Sequence, residues 1–199
     1  MKTHCIFRLF TIAFLIFSMQ SASFAAEKKQ AKPELKRVCG VEFGAVCRVV
    51  NHPRNQTYRY LSGREKTAYY FVPEKKFDNF QNYYLWVTPK NKKVYAISMT
   101  ADFKSSQEAM GFFDKICVVL EKHYKVKPKE ISTMKTKTLL FKLDNGEILL
   151  EIDSGFGSCE VSVKMEHTEL AASCEAEEKV LAREAAEKAA EKVDTSALE

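Results

Sequence analysis

Few residues of this chain stand in arrangements that support catalysis or metal binding. After the N-terminal segment the histidines are His52, His123 and His167, and none has a neighbour at the spacing of a zinc site. The sequence also contains no G-x-S-x-G, H-E-x-x-H or P-loop pattern, the signatures of serine hydrolases, zinc proteases and nucleotide-binding proteins. We therefore predict that the protein is not an enzyme and carries no metal or other cofactor.

Two residue pairs come closest to a catalytic arrangement. Cys117 and His123 fall in one predicted helix, but their spacing separates them around its circumference, and a buried thiol is inert. Glu151 and Asp153 share a face of a predicted strand, yet nothing marks them as carboxyl groups with separated pKa values. An enzyme of unspecified type is therefore the weakest of three hypotheses.

Basic and aromatic residues alternate in the segment 51–66. The arginines of this segment are Arg54, Arg59 and Arg64, and Tyr58 and Tyr60 lie between them. Such a mixture can bind phosphate or stack on bases and sugars, although ordinary exposed loops share it. Basic residues are also concentrated in the first half of the chain that follows the N-terminal segment. Together these features suggest a second hypothesis, the binding of anionic envelope polymers or lipid head groups through the three arginines and the lysines that follow the predicted central helix. No nucleic-acid partner is expected, because no nucleic-acid-binding motif accompanies the segment.

The N-terminal segment has the pattern of a secretory signal peptide. Lys2 and Arg8 are followed by the apolar run Leu9–Phe17 and by a small-x-small sequence that ends at Ala25. The run is short for a membrane span, so we predict cleavage, no transmembrane segment afterwards, and a periplasmic or secreted protein. An uncleaved anchor is the alternative.

The composition divides the chain into four segments. We predict a signal peptide at 1–25, a flexible charged arm at 26–37, a single α+β domain at 38–168 and a polar C-terminal helix or tail at 169–199.

Five cysteines follow the predicted cleavage site, and export would place them where disulfides persist. Cys39 and Cys47 bracket a short segment with two glycines, which predicts a disulfide-closed turn. Cys117 of the predicted helix should pair with Cys159 of a predicted strand. The odd residue, Cys174, would stay free or pair between molecules, so a dimer through Cys174 or the C-terminal helix is one predicted assembly.

One amphipathic helix is predicted from Ser105 to Tyr124. Ser105 and Glu108 form a capping box. Apolar residues then recur at helical spacing: Ala109, Phe112, Phe113, Ile116, Cys117, Leu120 and Tyr124. This stripe should pack against a sheet.

The strand pattern predicts an α+β fold, in which an antiparallel sheet of five or six strands in the order β-β-β-α-β-β-β carries the helix on one face. The pair Asn145-Gly146 predicts a type I′ hairpin turn that places Leu143 opposite Ile148. In the first hairpin, a register that pairs Trp86 with Tyr95 puts both on the helix face.

The opposite face would then carry an apolar patch of Tyr83, Leu85 and Val87. Exposed apolar patches mark partner sites. The alternative is that the segment 38–70 or the last helix covers the patch.

The segment 169–193 is rich in Ala, Glu and Lys and should be helical on propensity alone. Its apolar stripe is thin, which predicts a protruding or loosely docked helix; an interface with a helical partner is the alternative. The leading hypothesis is thus an exported, non-enzymatic protein of inhibitor or accessory type that binds another envelope or extracellular protein.

Overall fold

The computed structural model describes residues 33–48, 51–59, 65–77, 79–133, 136–154 and 158–196. The predicted signal peptide and most of the predicted arm therefore lie outside the described residues, as does Arg64. The described part is an α+β unit with antiparallel sheets and two helices, which confirms the predicted fold class.

Ten strands and two helices follow one another along the described chain. They are β1 (Arg37–Val38), β2 (Val41–Glu42), β3 (Gln56–Arg59), β4 (Glu65–Tyr70), β5 (Asn82–Val87), β6 (Val94–Phe103), α1 (Ser106–Tyr124), β7 (Lys129–Glu130), β8 (Thr136–Lys142), β9 (Gly146–Ser154), β10 (Cys159–His167) and α2 (Thr168–Ser196).

Eight of these strands form one antiparallel sheet in the order β3-β4-β5-β6-β10-β9-β8-β7, and β1 and β2 form a separate hairpin. The sheet has more strands than the sequence predicted. The additional ones, β3 and β7, lie at the two edges. An edge strand does not have to be fully buried on either face. Its composition can therefore be as polar as that of a loop, which is why the sequence pattern did not predict β3 and β7.

Helix α1 matches its prediction closely. The Ser105 hydroxyl accepts a hydrogen bond from the Glu108 N–H at 3.3 Å, and the helix ends at Lys125, whose backbone is left-handed. The side chains that it buries are Ala109, Phe112, Phe113, Ile116, Leu120 and Tyr124. A large apolar side chain contributes about 1.5–3 kcal/mol when fully buried, so this stripe forms the centre of the main core.

The first hairpin of the main sheet contains a β-bulge that reverses the predicted faces of β5. Val87 pairs with Val94 as predicted, but Trp86 then opposes Ala96, so Tyr95 is an extra residue. A shift of one residue turns every later side chain to the other face. The prediction that Trp86 lies on the α1 face is therefore wrong; its side chain packs on the opposite face, near Cys174.

The second hairpin, between β8 and β9, turns one residue earlier than predicted. The Leu143 N–H bonds to the Gly146 carbonyl at 2.9 Å, so the turn residues are Asp144 and Asn145. Ile148 accordingly pairs with Phe141 rather than with Leu143. The register differs by an even number, so the predicted core residues keep their face.

A close approach of two backbones explains why Gly146 lies in the strand instead of the turn. A Cβ atom at this position would be 2.3 Å from the Glu166 carbonyl oxygen and 2.7 Å from Leu35 Cδ1. Only glycine fits such a contact without displacement.

The residues before β1 are part of the domain. Leu35 is buried, its N–H bonds to Asn145 Oδ1 at 2.6 Å, and its carbonyl accepts a bond from Asn145 Nδ2 at 2.9 Å. Cys39 and Gly40 then form the turn between β1 and β2, both with positive φ, as a tight hairpin turn of the I′ class requires. Leu35, which the sequence assigned to the flexible arm, therefore belongs to the folded domain.

Candidate functional site

The first part of α2 packs on the sheet face opposite α1. Cys174 is 2 % exposed and lies in a cluster with Tyr84, Trp86 and Tyr95. Leu170 packs against the same cluster. The bulge in β6 made this cluster possible, because it directs Tyr95 and Ala96 to one face together.

Carboxylates of α2 hold the helix at the edge of this cluster. Glu177 accepts hydrogen bonds from the Lys90 N–H at 2.7 Å and the Asn91 N–H at 3.3 Å in the β5–β6 turn. Slight burial opposes ionisation of Glu177, but these bonds outweigh it and lower the pKa of the carboxyl group below its usual value. Glu178 forms a partly buried ion pair with Lys66 at 3.0 Å.

The second part of α2 projects away from the sheet. Every side chain from Lys179 to Ala190 is exposed. On a helix with 3.6 residues per turn, Leu181, Ala185 and Ala189 continue the face that Cys174 uses to contact the sheet. This face of α2 thus has two environments: it is packed near its start and open to solvent from Lys179 to Ala190.

The predicted outer patch is not a surface. Tyr83 is 1 % and Leu85 5 % exposed, and Val87 is half-buried. Tyr83 belongs to the α1 core, and Leu85 packs with residues of the β1–β2 hairpin, including Val38. The bulge turns these side chains to the α1 face, where α1 covers Tyr83 and the β1–β2 hairpin covers Leu85.

The structure describes the side chain of only one of the three predicted arginines, so it does not test whether they lie together. Arg54 is exposed; its Nη1 donates to the Tyr70 hydroxyl at 3.1 Å and its guanidinium lies 5.1 Å from the centre of the same ring. The His52 ring stacks on Tyr70 at 4.8 Å. Arg59 pairs through its backbone in β3, its side chain lies outside the described residues, and Arg64 does so entirely.

The five described cysteines carry free thiols in this structure. Cys159 Sγ lies 3.2 Å from the Ser106 hydroxyl at the start of α1. Cys117 is eleven residues further along the helix, roughly 16 Å at 1.5 Å per residue. The predicted Cys117–Cys159 disulfide is therefore not formed, and this geometry does not permit it. The predicted Cys39–Cys47 bond is not formed either.

Burial controls the chemistry of these thiols. It raises the pKa of Cys39, Cys47 and Cys117 above the usual value and that of Cys174 to about 12. A raised pKa lowers the thiolate population and with it the reactivity. Cys174 would also have to leave the sheet, with α2, before it could bond to a second molecule.

Carboxylates gather on the part of the outer face that α2 leaves open. Glu160 pairs across strands with Asp102 on one side and Asp153 on the other. Burial and then the charges of Asp102, Asp153 and Glu151 raise the pKa of Glu160. Within the described part of the chain, no group of three or more His, Cys, Asp or Glu side chains has an arrangement that could hold a metal ion.

Comparisons with known proteins give no match: neither a protein-family model, nor a curated protein, nor a solved structure. Among the described residues, no helix combines the length and apolar character needed to cross a membrane.

Proposed function

We propose that this protein has a non-enzymatic binding role and meets another protein through the projecting part of α2. The observation that carries the proposal is the contrast within that helix. Leu170, Cys174 and Glu177 attach its first part to the sheet, and the side chains from Lys179 to Ala190 are in solvent.

Helix energetics support a partner for this part. An isolated helix as short as the exposed segment from Lys179 to Ala190 is marginally stable in water. Helices in proteins gain most of their stability from packing. A helix that is polar nearly all round often bridges between folded units. A bound partner would supply the packing that the sheet supplies to the first part.

The open face indicates the kind of partner. Leu181, Ala185 and Ala189 form a narrow apolar stripe, and Arg183 and Glu187 pair at 2.8 Å outside it. Short side chains let another helix approach closely, as in helix-in-groove recognition. The attachment at Glu177 and Glu178 also fixes the direction of the helix beforehand, which reduces the entropy lost on binding.

Site-specific crosslinking tests the proposal. A photo-reactive amino acid replaces Ala185 in the full chain, and the matched control replaces Arg183, which lies on the opposite side of the same helical turn. We expect a defined adduct from position 185 and little from 183, and the substitution Ala185→Asp should abolish co-purification of the captured protein. Equal adducts from both positions, or co-purification that survives Ala185→Asp, would exclude this face.

Export remains a prediction that rests on the segment 1–25. If it holds, the partner is an envelope or extracellular protein. A C-terminally tagged chain should be found outside the cytoplasm and shortened by the length of that segment; a full-length tagged chain in the cytoplasm would contradict it.

Binding of anionic polymers or lipid head groups is the second candidate. Lys125, Lys127 and Lys129, which follow α1, are exposed and form no ion pair among the described residues. Unpaired surface lysines attract polyanions in a salt-dependent manner. Replacing all three by Gln should weaken binding to anionic vesicles at low salt, whereas the matched replacement of Lys75, Lys76 and Lys104 should not. If the two triple replacements weakened binding equally, the attraction would depend on net charge alone and not on the position of the lysines.

A further inference from the structure

A cavity lies between the β1–β2 hairpin, the end of α1 and the sheet. Its volume is about 230 Å³, and its walls include Val38, Met99, Leu120 and Met165. An engineered apolar cavity of about 150 Å³ in another protein holds benzene. The space here therefore suits an apolar group somewhat larger than one benzene ring.

The Tyr124 hydroxyl at the wall of the cavity has no partner among the residues that the structure describes. Tyr124 is 8 % exposed and lines the cavity. The oxygen is accessible to solvent rather than fully buried, so a ligand in the cavity can reach it. Burial, followed by the proximity of Cys39, raises the pKa of Tyr124, so the hydroxyl keeps its proton and can donate it to a ligand.

The remaining polar lining favours an acceptor or an anion. Arg37, Cys39 and His123 are the other lining residues with polar side-chain atoms, and none of the described lining residues carries a carboxylate. The Arg37 Nε donates to the Gly40 carbonyl at 3.0 Å, and its Nη2 lies 3.5 Å from Glu74 on the exposed side. Both side chains are largely exposed, so the guanidinium lies on the solvent side of the cavity and Glu74 holds it only weakly.

We propose that this cavity is a binding site for a small monocarboxylate with a short aliphatic chain or a single ring. The apolar part fills the space between Leu120 and the sheet. The carboxylate accepts a hydrogen bond from the Tyr124 hydroxyl and lies near Arg37. This ligand site is independent of the α2 surface, so either proposal can fail without the other.

Titration with hexanoate, followed by amide chemical shifts of the full domain, tests the site. Val119 lines the cavity and Val118 does not, although both are exposed on α1. Hexanoate should shift the amides of residues 37–39 and 119–124 with saturation. Val119→Trp should remove the saturable shifts and Val118→Trp should leave them, because only the first indole would occupy the space. Saturable shifts that survive Val119→Trp, or none in the natural protein, would overturn the proposal.

Two further comparisons test the chemical class. Tyr124→Phe removes one hydrogen bond and should weaken hexanoate binding about 5- to 10-fold, with thermal unfolding measured on the same sample to show that the domain is folded. The neutral probe 1-hexanol should bind more weakly than hexanoate, and Tyr124→Phe should reduce its affinity by a smaller factor. Equal binding of the two probes, or an unchanged affinity in Tyr124→Phe, would refute the carboxylate assignment.

Discussion

The two helices lie on opposite faces of the same sheet and are attached by different interactions. Six buried apolar side chains of α1, among them Phe113 and Ile116, pack into the main core. Helix α2 packs Cys174 and the half-buried Leu170 and Ala171 on the sheet, and polar contacts of Glu177 and Glu178 add to this attachment. The comparison indicates that α1 stabilises the fold, whereas α2 uses a small part of its length for attachment and presents the remainder.

The largest difference should appear when a core side chain of α1 is truncated. Phe113 is fully buried, so Phe113→Ala should lower the free energy of unfolding by about 3–5 kcal/mol. Met110, on the exposed side of the same helix, should change it by less than about 0.5 kcal/mol when replaced by Ala. Urea denaturation measures both; similar losses would mean that α1 is not the centre of the core.

Two glycine-to-alanine substitutions should have opposite signs. Gly146→Ala places a Cβ against the Glu166 carbonyl just before α2 begins, and we expect a loss of about 1–3 kcal/mol. At Gly111 in α1 an added Cβ has no neighbour within 4 Å, so alanine should stabilise the helix by about 0.5–1 kcal/mol. Thermal unfolding distinguishes the two, and a stabilising Gly146→Ala would show that the backbones separate without cost.

The attachment of α2 should depend on pH through Glu177. Its folded pKa lies below the ordinary value, so its contribution to stability is present above the unfolded pKa and is lost as the pH falls through the folded pKa. Glu177→Gln should cost less than about 1 kcal/mol at pH 7, because the contact is largely exposed, and progressively less as the pH falls through the folded pKa. Glu175→Gln is the matched control on the solvent side. If Glu177→Gln still lowered the stability in acid by the same amount, the charge of Glu177 would not be what attaches α2 to the β5–β6 turn.

The sequence predicts elements well where a periodic pattern and a local signal agree. The Ser105 cap and the apolar period of α1 both indicate the same helix, and the alternation that begins at Cys159 identifies β10. The β5 segment has four consecutive large apolar or aromatic residues, Tyr83 to Trp86. Without alternation, nothing local selects a face, and one extra residue, Tyr95, decides it.

Other features depend on residues distant in the chain. Asn-Gly is a strong local signal for a turn, but Leu35 and Glu166 require the glycine to be in the strand. Glu177 is one carboxylate among many in its segment, and its partners lie 86 and 87 residues away. The cavity beside Tyr124 likewise forms only when the β1–β2 hairpin meets α1, so no single segment indicates it.

The smallest effect on global stability is expected from a substitution in the projecting part of α2. The same substitution distinguishes local from global stability. Ala186→Gly lowers helix propensity by about 1 kcal/mol, yet this residue is exposed and makes no core contact. Unfolding of the domain should therefore be unchanged, whereas amide hydrogen exchange around residue 186 should become faster, because a local opening does not require the core to open.

Ala109→Gly in α1 is the matched change. Ala109 is fully buried, so this substitution should lower global stability by at least the same 1 kcal/mol. If Ala186→Gly lowered the global stability as much as Ala109→Gly does, the projecting part would be packed against the domain, and the proposed partner surface would be occupied by the chain itself.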